Sequence, residues 1–202
     1  GNMSFKFNNL IAITDSGSSF SNVSFSGGFN YYDKNNIQIF KENSIPSMEI
    51  SCHRKLGNSC IHTHPLNLLA ILCSKECKQI LSEIYEDYLY IDCKIPGESL
   101  SEKIKNNKIV FVKNHGLFVS SETLDECYEK TIYIEDCAKK YLNNSKKYLF
   151  PDSIVLEQEN EIYHSFVLSK INDSGLTPDF LSKEDVDYIL NMKEEKYRKN
   201  TK

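Results

Sequence analysis

Three observations in this sequence predict an α/β domain. Short apolar runs rich in β-branched and aromatic residues recur along the chain, at Leu10–Thr14, Ile109–Val112 and 117–119. Turn-prone clusters punctuate them, among them Asp15-Ser16-Gly17-Ser18, Gly27-Gly28 and Asn114-His115-Gly116. Over 122–143, by contrast, Leu124, Cys127, Tyr128, Thr131, Ile134, Cys137, Ala138 and Tyr141 repeat at the helical period.

The first 45 residues read as β-structure, with 29–32 and 37–40 forming a hairpin across Asp33-Lys34-Asn35-Asn36. Pro46-Ser47 then opens a short helix. Ser47 serves as its N-cap, Ile50, His53 and Leu56 share one face, and Gly57 suits the exit. Residues 59–64 form a strand stopped by Pro65, and 66–85 a helical stretch interrupted near Ser74. Residues 88–93 are a further strand closed by Ile95-Pro96-Gly97, and Leu100 with Ile104 marks a helical turn or two. Beyond Pro151 the pattern weakens until 184–198, where Val186, Ile189, Leu190 and Met192 line a terminal helix. No internal repeat or linker divides the chain, so residues 1–202 read as a single domain, with 151–202 as a tail.

The bulk composition narrows the function. A net charge of −4 leaves no basic face for nucleic acid, and no apolar run approaches the ~20 residues that span a bilayer. No signal peptide is visible. The cysteines number 7, an odd and irregularly spaced set that reads as reduced thiols in a cytoplasmic protein. Cys73 and Cys77 have the spacing of half a zinc site, but no second pair follows, so buried apolar thiols are the expectation.

The chemistry concentrates on three histidines. On a strand, His62 and His64 leave the same face and can share one ion, while Thr63 points away. His115 offers a third imidazole from a tight turn between two apolar strands. Three imidazoles with an open fourth position hold catalytic zinc, whereas structural zinc is closed off, most often by cysteines. Spacing alone leaves two readings open, an incidental pair of histidines or a metal cage.

Several segments together resemble the class II aldolase/adducin family. They are Gly1-Asn2-Met3-Ser4, Ile13-Thr14-Asp15-Ser16-Gly17-Ser18, Pro46-Ser47-Met48-Glu49, Ile61-His62-Thr63-His64-Pro65 and Lys113-Asn114-His115-Gly116-Leu117-Phe118-Val119. Pro96-Gly97 with Leu100 falls in the expected order, and 187–198 is similar to the end of rhamnulose-phosphate-type aldolase modules. The likeness covers roughly residues 1–145.

The resemblance implies a three-layer α/β/α domain with a central, largely antiparallel sheet. It implies that His62, His64 and His115 bind Zn2+, or another divalent metal. Glu49 would be the catalytic acid and base, and Asn2, Ser16, Gly17 and Ser47 would cradle a substrate phosphate. A Gly-containing turn, hydroxyls and a helix N-terminus suit such a dianion; read without the family, Glu49 is equally a first-turn acid on a helix dipole. The implied activity is a lyase that cleaves a ketose 1-phosphate to dihydroxyacetone phosphate and an aldehyde. Pentulose-phosphate 4-epimerase, methylthioribulose-1-phosphate dehydratase and a non-catalytic adducin-like interaction module are the alternatives.

A homotetramer with sites at subunit boundaries is also implied, as is a further helix ahead of Gly1-Asn2, so the sequence reads as N-terminally trimmed or partial. The family's substrate-facing tyrosine has no clear counterpart among Tyr88, Tyr90 and Tyr197, and Asp92 or Cys93 stands where it is often found. Met48 stands where a serine commonly contacts phosphate, and Asp15 stands where proline is usual.

Overall fold

The computed structural model describes residues 1–17, 20–23, 28–35, 37–40, 45–92, 96–143, 159–179, 181–182, 184–185, 188 and 191. Its strands are β1 (Asn2–Phe7), β2 (Leu10–Thr14), β3 (Phe29–Tyr32), β4 (Gln38–Phe40), β5 (Ser59–Thr63), β6 (Leu89–Ile91), β7 (Ile109–Val112) and β8 (Gly116–Ser121). They join in one sheet of order β4-β3-β2-β1-β5-β8-β7-β6. Every described pairing is antiparallel except β6 with β7.

Helices cover both faces: α1 (Ile50–Lys55), α2 (Leu66–Leu72), α3 (Cys77–Ile84), α4 (Glu98–Lys103), α5 (Leu124–Asn143) and α6 (Glu159–Ser174). The strand period of two sorts the core between them. Ile109, Phe111, Leu117 and Val119 pack in one cluster with residues of α2, α3, α5 and α6. Val110, Val112, Phe118 and Cys60 turn the opposite way, against Cys52 of α1 and Leu100 of α4. Burial on both faces is why β7 and β8 read as continuous apolar runs. The result is the expected three-layer α/β/α architecture, and no helix among the described residues is long and apolar enough to cross a membrane.

The central strand β1 has no apolar run to announce it. Asn2, Ser4 and Lys6 face α1, where the Lys6 ammonium donates to the Arg54 and Leu56 carbonyls at the end of that helix. Met3, on the other face, packs against the larger core. The β1–β2 hairpin turns on Asn8 and Asn9, both left-handed, with Phe7 opposite Leu10.

Other boundaries differ from the pattern-based expectation. The first helix starts at Ile50, not at Pro46-Ser47, and Glu49 occupies the N-cap position without a side-chain cap bond. Pro46 is held extended by a bridge to Asp15, and the Ser47 hydroxyl is engaged by Asn2 and by the Glu49 N–H. The interruption expected near Ser74 is present: residues 66–85 are two helices, broken where Ser74 bridges Pro178. A capping box opens α5, the Thr123 hydroxyl accepting from the Glu126 N–H while the Glu126 carboxylate accepts from the Thr123 N–H.

Helix α6 has no counterpart in the sequence pattern, because its apolar residues are spread around the axis. Val167 and Ile171 are fully buried while Phe166 is exposed. The terminal helix expected over 184–198, with Tyr197, lies almost entirely outside the described residues.

Candidate metal centre

Strand β5 carries His62 to the sheet end, and Pro65 turns the chain into α2 directly after His64. The β7–β8 turn brings His115 to the same point, with Asn114 left-handed at φ 53°. Ligand nitrogens of His62, His64 and His115 all lie within 4.8 Å of one another. Gly116 makes the approach possible: a Cβ there would stand 2.6 Å from both His64 Cδ2 and the Thr63 carbonyl oxygen.

The imidazole protonation follows from the hydrogen bonds. His62 Nδ1 lies 2.9 Å from the Leu117 carbonyl, which can only accept, so Nδ1 carries the proton. Burial holds this imidazole well below the usual histidine range, against the opposing pull of Glu49. Its Nε2 therefore presents a lone pair, 2.9 Å from His64 Nε2. A neutral imidazole fixed by a backbone carbonyl is how a metal-ligating histidine is oriented. The ring also stacks on Phe118, with centroids 4.1 Å apart. Convergent imidazole nitrogens and an open side fit a zinc-like divalent cation.

Glu49, only 5% exposed, covers that side. Its Oε1 stands 2.9 Å from His115 Nε2 and its Oε2 3.4 Å from His62 Nε2. Burial pushes its carboxyl up, but the imidazoles of His62 and His115 outweigh this and hold it well below the usual carboxylate range. Oε1 accepts no well-formed hydrogen bond among the described residues, an orphaned buried oxygen aimed at the histidine cluster.

Behind Glu49 lies a polar chain that spacing did not reveal. Asn2 pairs directly across from His62 and Ser4 across from Cys60, so both share the face of the site. The Asn2 amide donates to Glu49 Oε2 (2.7 Å) and to the Ser47 hydroxyl (2.8 Å). Its carbonyl oxygen lies 2.5 Å from Nε2 of the fully buried His53, whose Nδ1 is 2.7 Å from the Ser4 hydroxyl. With both amide protons used, His53 Nε2–H must donate to Asn2 and Nδ1 must accept from Ser4. His53 read as a core-facing helix residue, and its distance of four residues from Glu49 was the only hint of this role.

The proposed phosphate groups fall in two places. Asn2 and Ser47 adjoin Glu49. The Ser16-Gly17 turn is tied to the same loop by the Asp15–Pro46 bridge, and the Ser16 N–H is donated to the Ile45 carbonyl. Gly17 is left-handed at φ 78°. Tyr88 and Tyr90 pack instead against the core on the opposite sheet face, with the Tyr90 hydroxyl 3.2 Å from Cys77 Sγ. Burial pushes the Cys73 and Cys77 thiols up, and the described cysteines are free, as expected of inert apolar thiols. Cys93 and Tyr197 lie outside the described residues.

This fold and site define a class of protein. Residues 1–142 match the model of the class II aldolase and adducin N-terminal domain, and the chain belongs to that family. It is 28% identical over 166 residues to an L-fuculose phosphate aldolase of Methanococcus maripaludis, spanning 73% of this chain and 87% of that one. It is 35% identical over 108 residues to the uncharacterized oxidoreductase YuxG of Bacillus subtilis, 49% of this chain but only 16% of that protein's length. A solved N-terminal class II aldolase domain from Thermoplasma acidophilum has the same fold, with a TM-score of 0.62 at 18% identity over 70% of this chain and 83% of that one.

Proposed function

We propose that this protein is a metal-dependent lyase that cleaves a ketose 1-phosphate to dihydroxyacetone phosphate and an aldehyde. One observation carries the reading: the buried Glu49 carboxylate lies against His62 and His115, two of three convergent imidazoles, with its Oε1 left without a well-formed hydrogen bond. His62, His64 and His115 hold the metal, Zn2+ or another divalent cation, which when bound acts as a Lewis acid on a substrate carbonyl. Glu49 moves the proton at the neighbouring carbon. Asn2 fixes Oε2, so that Oε1 is the oxygen presented to substrate. Asn2, Ser47, Ser16 and Gly17 are the groups proposed to receive the phosphate, and substrate entry then requires the Asn2 amide to exchange Glu49 or Ser47 for a phosphate oxygen. The family resemblance supports a homotetramer with sites at subunit boundaries, which light scattering on the purified protein tests.

The direct test is a screen of phosphorylated ketoses against zinc-loaded protein, with dihydroxyacetone phosphate as the detected product. His62→Ala is expected to lose zinc and turnover together, whereas Glu49→Gln keeps the metal and loses turnover by several orders of magnitude. Equal metal loss in both variants contradicts the assigned roles. Epimerisation of a pentulose phosphate, or loss of water from methylthioribulose 1-phosphate, without aldol cleavage would replace the lyase by another reaction of the same site.

A further inference from the structure

The metal-bearing turn is gripped by a segment of the chain that lies beyond the family match. After α6, residues 177–179 run beside the break between α2 and α3. The Lys75 N–H donates to the Thr177 carbonyl, Ser74 bridges Pro178, and the Asp179 N–H donates to the Cys73 carbonyl at 3.1 Å. Asp179 then reaches the two residues that precede His115. Its carboxylate lies 2.7 Å from Lys113 Nζ, and its carbonyl oxygen accepts from the Asn114 side-chain amide at 2.8 Å.

Both contacts bear on a backbone that needs holding. Asn114 is left-handed, a conformation that a non-glycine residue keeps only when its surroundings over-determine it. The Asn114 N–H is donated to the Leu72 carbonyl at the end of α2, so the turn is tied to a helix on one side and to Asp179 on the other. Those ties decide where His115 stands relative to His62 and His64, which β5 delivers independently. A ligand set drawn from two separate elements binds an ion tightly only if their separation is fixed beforehand.

We propose that Asp179 is a positioning residue for His115, its carboxylate and carbonyl clamping Lys113 and Asn114 so that the third imidazole meets the other two. This rests on the reading of the three histidines as a metal centre. It assigns the region after α6 a task at the site, although the matched family domain ends at residue 142.

The test is zinc affinity of the full chain, measured by competition with a chromophoric chelator. Asp179→Asn removes the ion pair, and Asn114→Gly keeps the left-handed turn while removing the bond to the Asp179 carbonyl. Each is expected to weaken zinc binding by about tenfold, the lower end for groups that orient a ligand from outside the coordination shell. Asp179→Glu should recover most of the loss, and Lys113→Met should add nothing in the Asp179→Asn background. Thermal unfolding of the metal-free variants separates positioning from stability. A lowered Tm with unchanged zinc affinity means that the clamp is only structural and overturns the proposal. If the parent protein binds no zinc, the metal-centre reading fails and the proposal falls with it. A parent that binds tightly with variants that match it sinks the proposal alone.

Discussion

Replacing His53 by Gln should remove a specific part of the protein's acid sensitivity. His53 is fully buried, and burial pushes its pKa down from 6.5 to about 4, the attraction of Glu49 opposing and Lys6 assisting. The unfolded chain takes up a proton near 6.5 that the folded chain refuses until about 4. The stability contributed by keeping this ring neutral is therefore complete above pH 6.5 and is lost as the pH falls toward 4. The gap is worth about 3 kcal/mol in full, of which about 2 kcal/mol is gone by roughly pH 5. Glutamine keeps a donor for the Asn2 carbonyl and does not titrate.

Urea unfolding of both proteins with chelator present, at about pH 7 and about pH 5, gives the comparison. The parent should lose about 2 kcal/mol more than His53→Gln between those conditions. Glu49 and His62 also titrate differently in the folded and unfolded chains, but they are common to both proteins and cancel in the difference. Equal acid losses would mean that His53 is not held as a neutral donor, and the chain from Ser4 to Glu49 would have to be redrawn.

Two further outcomes follow from the packing around the site. Gly116→Ala should abolish high-affinity zinc binding, because its Cβ would press on the Thr63 carbonyl and the His64 ring, each at 2.6 Å; an unaltered zinc titration would refute this. Glu135→Ala should cost about 1–2 kcal/mol in urea unfolding, because its carboxylate is the N-terminal cap of α2, accepting from the Asn67 and Leu68 N–H groups at 2.9 Å each. An unchanged urea midpoint would show that solvent replaces the cap without loss.

Local periodicity made much of the fold legible. Strands β5, β7 and β8 and helix α5 carry strong hydrophobic patterns, and the alternation that put His62 and His64 on one face held although β5 ends at Thr63, one residue before His64. Strand β1 fell within the segment read as β-structure but was not singled out, because its positions facing α1 are polar and are satisfied by that helix, more than forty residues away. Helix α6 was missed because, among its described side chains, Val167 and Ile171 are the fully buried ones, and the start of α1 was misplaced because Ser47 lies ahead of the helix, its hydroxyl shared between the Asn2 amide and the Glu49 N–H.

The sequence by itself determined the α/β class and, through its combined motifs, the family and the three histidines that the family resemblance singles out. These depend on residue type and on motif order along the chain, which can be read without any tertiary contact. Only the tertiary structure decided how those residues are held: the Ser4–His53–Asn2–Glu49 chain, the Glu135 cap on α2 and the Asp179 clamp on the His115 turn. Each joins groups at least 45 residues apart through directional hydrogen bonds, whose energies depend on sub-ångström placement that linear patterning does not encode.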